Sequence, residues 1–340
     1  MSVYLRSMKA MKLRFTRSTT NLLVIFLASL RMAVAQPQGG YRPHPLLSPM
    51  WQAEVEYMDP TQVEDTTMDN GFSGASFTYR LPLYLGKDWL SADGGKPFYA
   101  IFAQAGANIR QSQIDFIEPD RLLTQAKIGV TGLMAKGLRN LYLINLTAAL
   151  PTESFYFKPN YVRPYGAFVW RKLYHNNTLW HTLGVIYTPI SGRELPLPIA
   201  GLGFKMGNDD QLQFTFPFNV AYTHKFNRYF SLTARIQNMG GFYYLRADST
   251  YRQEPNIYRF RYPRLGIMAR IYTLSHVVIS PEIALTGRGR LTRNDDKFRQ
   301  LNSLYFRLSI QVRFGKRPAA APILNFDPGD SGFDPSYLVE

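Results

Sequence analysis

The chain has 340 residues, no cysteine and a formal net charge of +15. Without cysteine there is no disulfide scaffold, no thiolate metal site and no lipid-modified N-terminal cysteine. A mean hydropathy of -0.19 argues against a bundle of transmembrane helices, but not against a barrel in which every second residue is polar.

Residues 1–35 carry six of the positive charges (Arg6, Lys9, Lys12, Arg14, Arg17, Arg31) and no acid. They read as a secretory signal peptide. The basic start precedes an apolar run over 21–30, and Ala33-Val34-Ala35 fits the small-x-small rule for cleavage before Gln36. The run is shorter than the ~20 residues a spanning helix needs. Past residue 36 no segment is long and apolar enough to be one, so the mature chain is expected to be exported. Its pI near 9.8 would fit a nucleic-acid binder, but the cations are spread over strands and loops without a recognisable motif, so no nucleic-acid partner is expected.

Residues 36–50 are proline-rich and predicted to be irregular. Alternation then begins. Trp51, Ala53, Val55 and Tyr57 oppose Gln52, Glu54 and Glu56. Successive strand residues point to opposite faces, so each such run is a strand with one apolar and one polar side. The pattern recurs over 76–85, 99–110, 125–131 and 142–148. It is ambiguous in face over 162–174, then returns over 183–187 and 200–204. In 211–223, Leu212, Phe214, Phe216, Phe218, Val220 and Tyr222 share one face, which predicts one long strand. A turn at Gly240-Gly241 separates 230–237 from 242–247. In 256–272 the phase is read as slipping near Pro263. Residues 277–288 and 303–314 complete the set. The last is the clearest, with Leu304, Phe306, Leu308, Ile310, Val312 and Phe314 opposing Arg307, Ser309, Gln311 and Arg313.

These segments predict an all-β chain: a transmembrane, antiparallel, up-and-down β-barrel of about fourteen strands (12–14) over 51–314, lipid outside and a polar lumen inside. A secreted β-sandwich would alternate too, but no amphipathic helix or second layer is visible to cover so many aromatics. Connection lengths agree with a barrel: 135–139, 175–178, 207–210, 239–241 and 273–276 are short, and the intervening loops are longer. Two connections break the rule, 86–96 by being long and 224–228 by being short. Residues 315–340 are predicted to be a disordered periplasmic tail.

The run Pro198-Ile199-Ala200-Gly201-Leu202-Gly203-Phe204, then Asn208-Asp209-Asp210, Gln213-Phe214-Thr215-Phe216-Pro217-Phe218, Ala221-Tyr222 and Phe226 resembles an uncharacterised Bacteroidota-type outer-membrane β-barrel family, a domain of unknown function. The resemblance extends roughly over 57–314. It implies location and fold, and it carries no site residue.

The phase assigns Arg80, Arg110, Lys127, Arg235, Arg264, Arg270, Arg288, Arg307 and Arg313 to the lumen, facing Glu54, Glu56 and Glu282. Such a lining can select anions in an open pore; alternatively the arginines pair with carboxylates and tyrosines and fill the barrel. Two functions follow: a passive pore for small polar or anionic solutes, or a closed barrel acting as scaffold or accessory subunit of an envelope complex. An outer-membrane lipid-modifying enzyme is a distant third, because the five histidines pair with no nearby serine and show no metal spacing. Catalytic residues, metal and cofactor are therefore expected to be none. Asp209-Asp210 and Asn294-Asp295-Asp296 read as turns rather than Ca²⁺ sites. The expected partners are outer-membrane lipid and the barrel-assembly machinery during insertion. The tail repeats Phe-Asp-Pro, so Phe326 and Phe333 are candidate anchors for a periplasmic or envelope protein; its acids could instead enter the lumen as a plug.

Overall fold

The computed structural model describes residues 49–314 apart from 65, 67, 86–97, 113–121, 137–138, 175–177, 191–192, 208, 218, 228, 247–254, 275–276 and 295. The predicted signal peptide, and the tail with Phe326 and Phe333, lie outside the described residues.

The strands are β1 (Met50–Gln62), β2 (Asp69–Leu85), β3 (Phe98–Ser112), β4 (Leu122–Lys136), β5 (Asn140–Glu153), β6 (Arg163–Tyr174), β7 (Leu179–Ile190), β8 (Arg193–Met206), β9 (Asp210–Phe216), β10 (Asn219–Asn227), β11 (Phe230–Leu245), β12 (Asn256–Leu274), β13 (Val277–Thr286), β14 (Gly289–Arg293), β15 (Asp296–Gln300) and β16 (Ser303–Arg313). Antiparallel pairing runs in sequence order from β1 to β13, passes to β16 and returns to β1, closing a fourteen-strand barrel. Closure leaves no sheet edge in the wall, which is how strands satisfy their backbone groups inside hydrocarbon.

The side chains are sorted inside out. Ile128 and Leu146 are 67% and 63% exposed, whereas Arg171 and Arg264 are 1% exposed. Along β16 the burial alternates strictly from Ser303, with Leu304, Phe306 and Leu308 outside and Tyr305, Arg307 and Ser309 inside. A water-soluble fold does the reverse; an apolar exterior over a polar interior is the arrangement a bilayer requires.

Two expectations are corrected, and their errors cancel in the strand count. Residues 211–223 are two strands, β9 ending at Phe216 and β10 starting at Asn219, with a turn at Pro217. Their register pairs Phe214 with Val220 and Leu212 with Tyr222, so even-numbered residues face outwards on both arms and the alternation runs through the turn unbroken. Pro217 was the sign that the run could not be one central strand. Conversely, Gly240-Gly241 is no turn but lies inside β11, and residues 238–241 stay paired with 260–263 of β12. The short link 228–229 therefore falls among the other short turns, which removes one of the two length anomalies. No phase slip occurs at Pro263: Tyr258, Phe260, Tyr262 and Arg264 all face inwards. Only the chemistry of the inner face changes there, from aromatic to charged. Residues 163–174 alternate as well, with Tyr165, Ala167, Val169, Arg171 and Leu173 buried. Within the predicted loop 289–301, β14 and β15 form an extra hairpin.

The end at which β4, β6, β8, β10 and β12 finish is the turn end; Met50 and Arg313 also lie there. At the opposite, loop end the wall is uneven. β9 and β10 stop early, so β11 has no partner strand in β10 past Gln237. It remains paired with β12 and reaches across to β5, where Tyr244 pairs with Thr152 in parallel. From β12 the sheet continues through β14 and β15, and Val63 after β1 bridges to Gln300. A smaller circuit, β1–β5 with β11, β12, β14 and β15, thus closes over one side of the barrel.

Because Ile267 sits on the outer face and is 49% exposed, Ile267→Arg is expected to destabilise the membrane-inserted barrel by about 2–4 kcal/mol. Urea titration of the refolded protein in vesicles checks this; a loss below about 0.5 kcal/mol would be that of an ordinary water-facing position.

Candidate functional site: the charged interior and its aromatic cap

The interior is crossed by β1, β11, β12, β13 and β16, and each contributes a charge. Glu282 is fully buried on β13. Its carboxylate accepts from Arg235 at 3.0 and 2.5 Å, lies 2.9 Å from Arg307 and 3.5 Å from Arg264. Arg307 also reaches Glu54 at 3.5 Å, and Arg264 donates to Gln237 at 2.9 Å. Arg264 stacks 4.5 Å over the ring of Tyr305, whose hydroxyl donates to Glu56 at 3.0 Å. Glu56 in turn takes Arg110 at 2.6 Å. Three carboxylates and four guanidiniums are thereby one continuous network.

Strand register sets this up. Glu282 is the Cα partner of Arg307, and Arg307 of Glu56, so acid and base alternate across β13, β16 and β1 on one inner row. Cross-strand neighbours lie about 5 Å apart, within reach of a guanidinium.

Aromatics close over the network at the loop end. Arg110 lies 4.0 and 4.7 Å from the ring centres of Phe72 and Phe260. Odd-numbered residues of the β11 extension, Met239, Tyr243 and Leu245, join that cluster with Tyr258, Tyr262 and Leu291. Even-numbered Phe242 and Tyr244 pack the other way, on Ala149, Tyr161 and Tyr165. Tyr161 and Tyr244 stack at 4.2 Å, and Arg163 donates to the Tyr244 hydroxyl at 2.6 Å. Both faces of Phe242–Leu245 are buried because this stretch runs through the barrel's end rather than along its wall. Gly241, just before it, is set by contact: a Cβ there would meet the Phe260 ring at 2.8 Å.

On the β3–β5 wall a ring of neutral groups takes over. Gln104 donates to Thr147, Thr147 to Asn145, and Asn145 to Thr131, at 2.8–3.0 Å. Beside it Phe102, Leu143, Val169 and Ile186 form an apolar inner cluster.

Of the residues assigned to the lumen, Arg80, Arg110, Arg235, Arg264, Arg307 and Arg313 are buried, and Lys127 and Arg270 are half-buried on inner-face positions. Arg288 is a correction. β13 ends at Thr286, and Arg288 is exposed in the bend before β14. Sequence reading extended the strand two residues too far because the parity happened to continue. Arg171 was missed, since its strand could not be phased; it donates to Thr182 at 3.0 Å. Tyr305 and Tyr244 were also missed as structural pivots, tyrosines being common on either face of a barrel strand.

The histidines with described surroundings sit on the outer face. His181 Nδ1 lies 2.9 Å from the Tyr174 hydroxyl. His224 Nδ1 lies 2.8 Å from Asp210, which also accepts from Tyr222 at 2.5 Å. Among the described residues no group of three acids, histidines or cysteines is placed to hold a metal ion.

Glu282→Gln leaves three guanidiniums around a neutral amide and is expected to cost about 3–5 kcal/mol. Combining it with Arg307→Met is expected to restore part of that loss. The urea midpoint of the folded barrel in detergent reads both, and an unchanged midpoint for Glu282→Gln would contradict the network.

No family model and no curated protein matches the chain. Solved outer-membrane proteins align with it loosely. A KdgM porin covers 78% of this chain and 99% of its own at 8% identity, with a TM-score of 0.33. An outer membrane channel from Pseudomonas putida F1 covers 82% and 100% at 8% identity and a TM-score of 0.41. The Acinetobacter baumannii outer membrane protein Omp33 covers 79% and 99% at 9% identity and 0.33. Likenesses this loose carry no argument about function.

Proposed function

We propose that the chain is an outer-membrane β-barrel protein that works with its lumen closed, as a scaffold or accessory subunit of an envelope assembly. Bilayer lipid surrounds its apolar belt, and the barrel-assembly machinery inserts it. One observation carries the reading: β11 leaves the wall at the loop end and pairs with β5 across the barrel, with Phe242–Leu245 buried on both faces. Opening that end would expose several rings at roughly 1.5–3 kcal/mol each and uncover the Arg110–Glu56 pair. In the network beneath it each glutamate is held by at least one arginine. No catalytic role is part of this proposal.

A second reading, a gated path for small anions, draws on a specific feature: among the described residues the buried arginines outnumber the buried glutamates, and Arg80 and Arg313 lie towards the turn end.

Planar-bilayer recording separates the two. The folded, inserted wild type is expected to show no sustained conductance. Tyr243→Ala combined with Phe260→Ala, which thins the cap, is expected to produce steps that favour anions. Stable ohmic steps from the wild type would overturn the closed barrel in favour of a pore.

A further inference from the structure

One sector of the outer face departs from the apolar rule at the turn end. Lys136 on β4, Asn140 on β5, Lys172 on β6 and His181 on β7 are successive Cα partners, so they form one row across four strands. They share the parity of Val130, Ile144, Phe168 and Leu183, which are 45–48% exposed on the outer face. Past His181 the same row continues as Leu202, Phe214 and Val220, so its polar groups belong to β4–β7.

The sector is a set of donors. Trp170 Nε1 donates to Asn140 Oδ1 at 3.2 Å, which occupies the amide oxygen and leaves the amide NH2 to donate elsewhere. The Tyr174 hydroxyl lies 2.9 Å from His181 Nδ1; when it donates there, the ring hydrogen sits on Nε2. Trp170 packs edge-on against the His181 ring at 4.9 Å. Lys172 lies 5.2 Å over the Tyr174 ring. Among the described residues neither Lys136 nor Lys172 has a carboxylate partner. Sequence explains the lack: residues 121–193 contain one acid, Glu153. It is buried at the loop end, where it accepts from the Arg246 backbone N–H at 3.0 Å. Asp210, the outer-face acid of the β8–β9 turn, is engaged by Tyr222 and His224.

The neighbouring strands set the depth. Phe204, Tyr222, Phe226 and Phe230 face outwards at the same end, as an aromatic girdle does where a barrel meets the membrane–water interface. A lysine on the lipid face is tolerated at that level and costly at the midplane. Lys136 and Lys172 stand two strands apart, about 10 Å, so both ammoniums reach an anion held over Asn140.

We propose that the outer-face sector of β4–β7 is a binding site for the headgroup of an anionic phospholipid. Lys136 and Lys172 bracket its phosphate, and Asn140 and His181 donate to the phosphate oxygens. Trp170 and Tyr174 position those two donors. The acyl chains run along Ile144, Phe168 and Leu183 towards the middle of the belt. In an outer-membrane barrel the short turns face the periplasm, so the lipid is drawn from the periplasmic leaflet. The site is independent of whether the lumen conducts.

The chain has no cysteine, so a single engineered one carries a fluorophore. Full-length protein labelled at Leu183→Cys, beside the row, is compared with protein labelled at Ile267→Cys on β12. Both are placed in phosphatidylcholine vesicles in which a minor fraction is phosphatidylglycerol or phosphatidylcholine brominated on its acyl chains. At Leu183→Cys, brominated phosphatidylglycerol is expected to quench with at least about threefold higher relative affinity than brominated phosphatidylcholine, from two lysines near the headgroups. At Ile267→Cys the two lipids are expected to quench alike. Lys136→Gln with Lys172→Gln should remove the preference at Leu183→Cys, and Lys136→Arg with Lys172→Arg should keep it. No preference at Leu183→Cys, an equal preference at both labels, or one indifferent to the Gln pair would overturn the proposal. So would a Leu183→Cys label blind to brominated phosphatidylglycerol but shifted by inorganic phosphate, which would place a free oxyanion there instead.

Discussion

The Glu282 side chain has no exposed surface and three guanidiniums within 3.5 Å. A carboxylate in that position is tolerable only with cations around it, and the cations only with the carboxylate between them. That mutual dependence fixes the register of β13 on β16 and positions β11 and β12 through Arg235 and Arg264. Tyr305 hands the same constraint to Glu56 and Arg110 on the far side of β16. The inner wall from β11 round to β3 is thus held by side chains as well as by its backbone ladder.

The uneven loop end follows from strand length. β9 and β10 are 7 and 9 residues long, against 16 in β11 and 19 in β12. A strand that outruns its neighbour exposes backbone donors and acceptors, and these need partners. β11 meets this by leaning over the interior, bridging to β5 and burying its even-numbered aromatics on Tyr161 and Tyr165. The β14–β15 hairpin does the corresponding job for β12. Burial of these aromatics and coverage of the long strand's edge are the same event.

Alternation made most of the wall legible, because lipid outside and polar groups inside give each strand a two-residue period of chemistry. It failed where that contrast disappears. Phe214 to Tyr222 reads as one strand because the β9–β10 register keeps even residues outside on both arms. Tyr258, Phe260 and Tyr262 read as a change of phase because aromatics face inwards wherever the cap fills the lumen. Gly240-Gly241 reads as a turn, whereas the missing Cβ of Gly241 allows a close approach to Phe260. The arginines were assigned inwards from parity, but nothing in their spacing shows which would share Glu282, since that depends on strands 47 and 25 residues apart meeting at one point.

The sequence by itself determined a barrel: strand-length alternation, an apolar face too extensive for any soluble core to cover, and basic residues on the opposite face. Those are local properties, readable one segment at a time. How the loop end is covered is a matter of tertiary structure. The bridge from β11 to β5, the circuit through β14 and β15, and the sharing of Glu282 among three arginines all join residues far apart in the chain. They depend on how much longer one strand is than its neighbour and on the register in which the barrel closes, and neither quantity is written in any single segment.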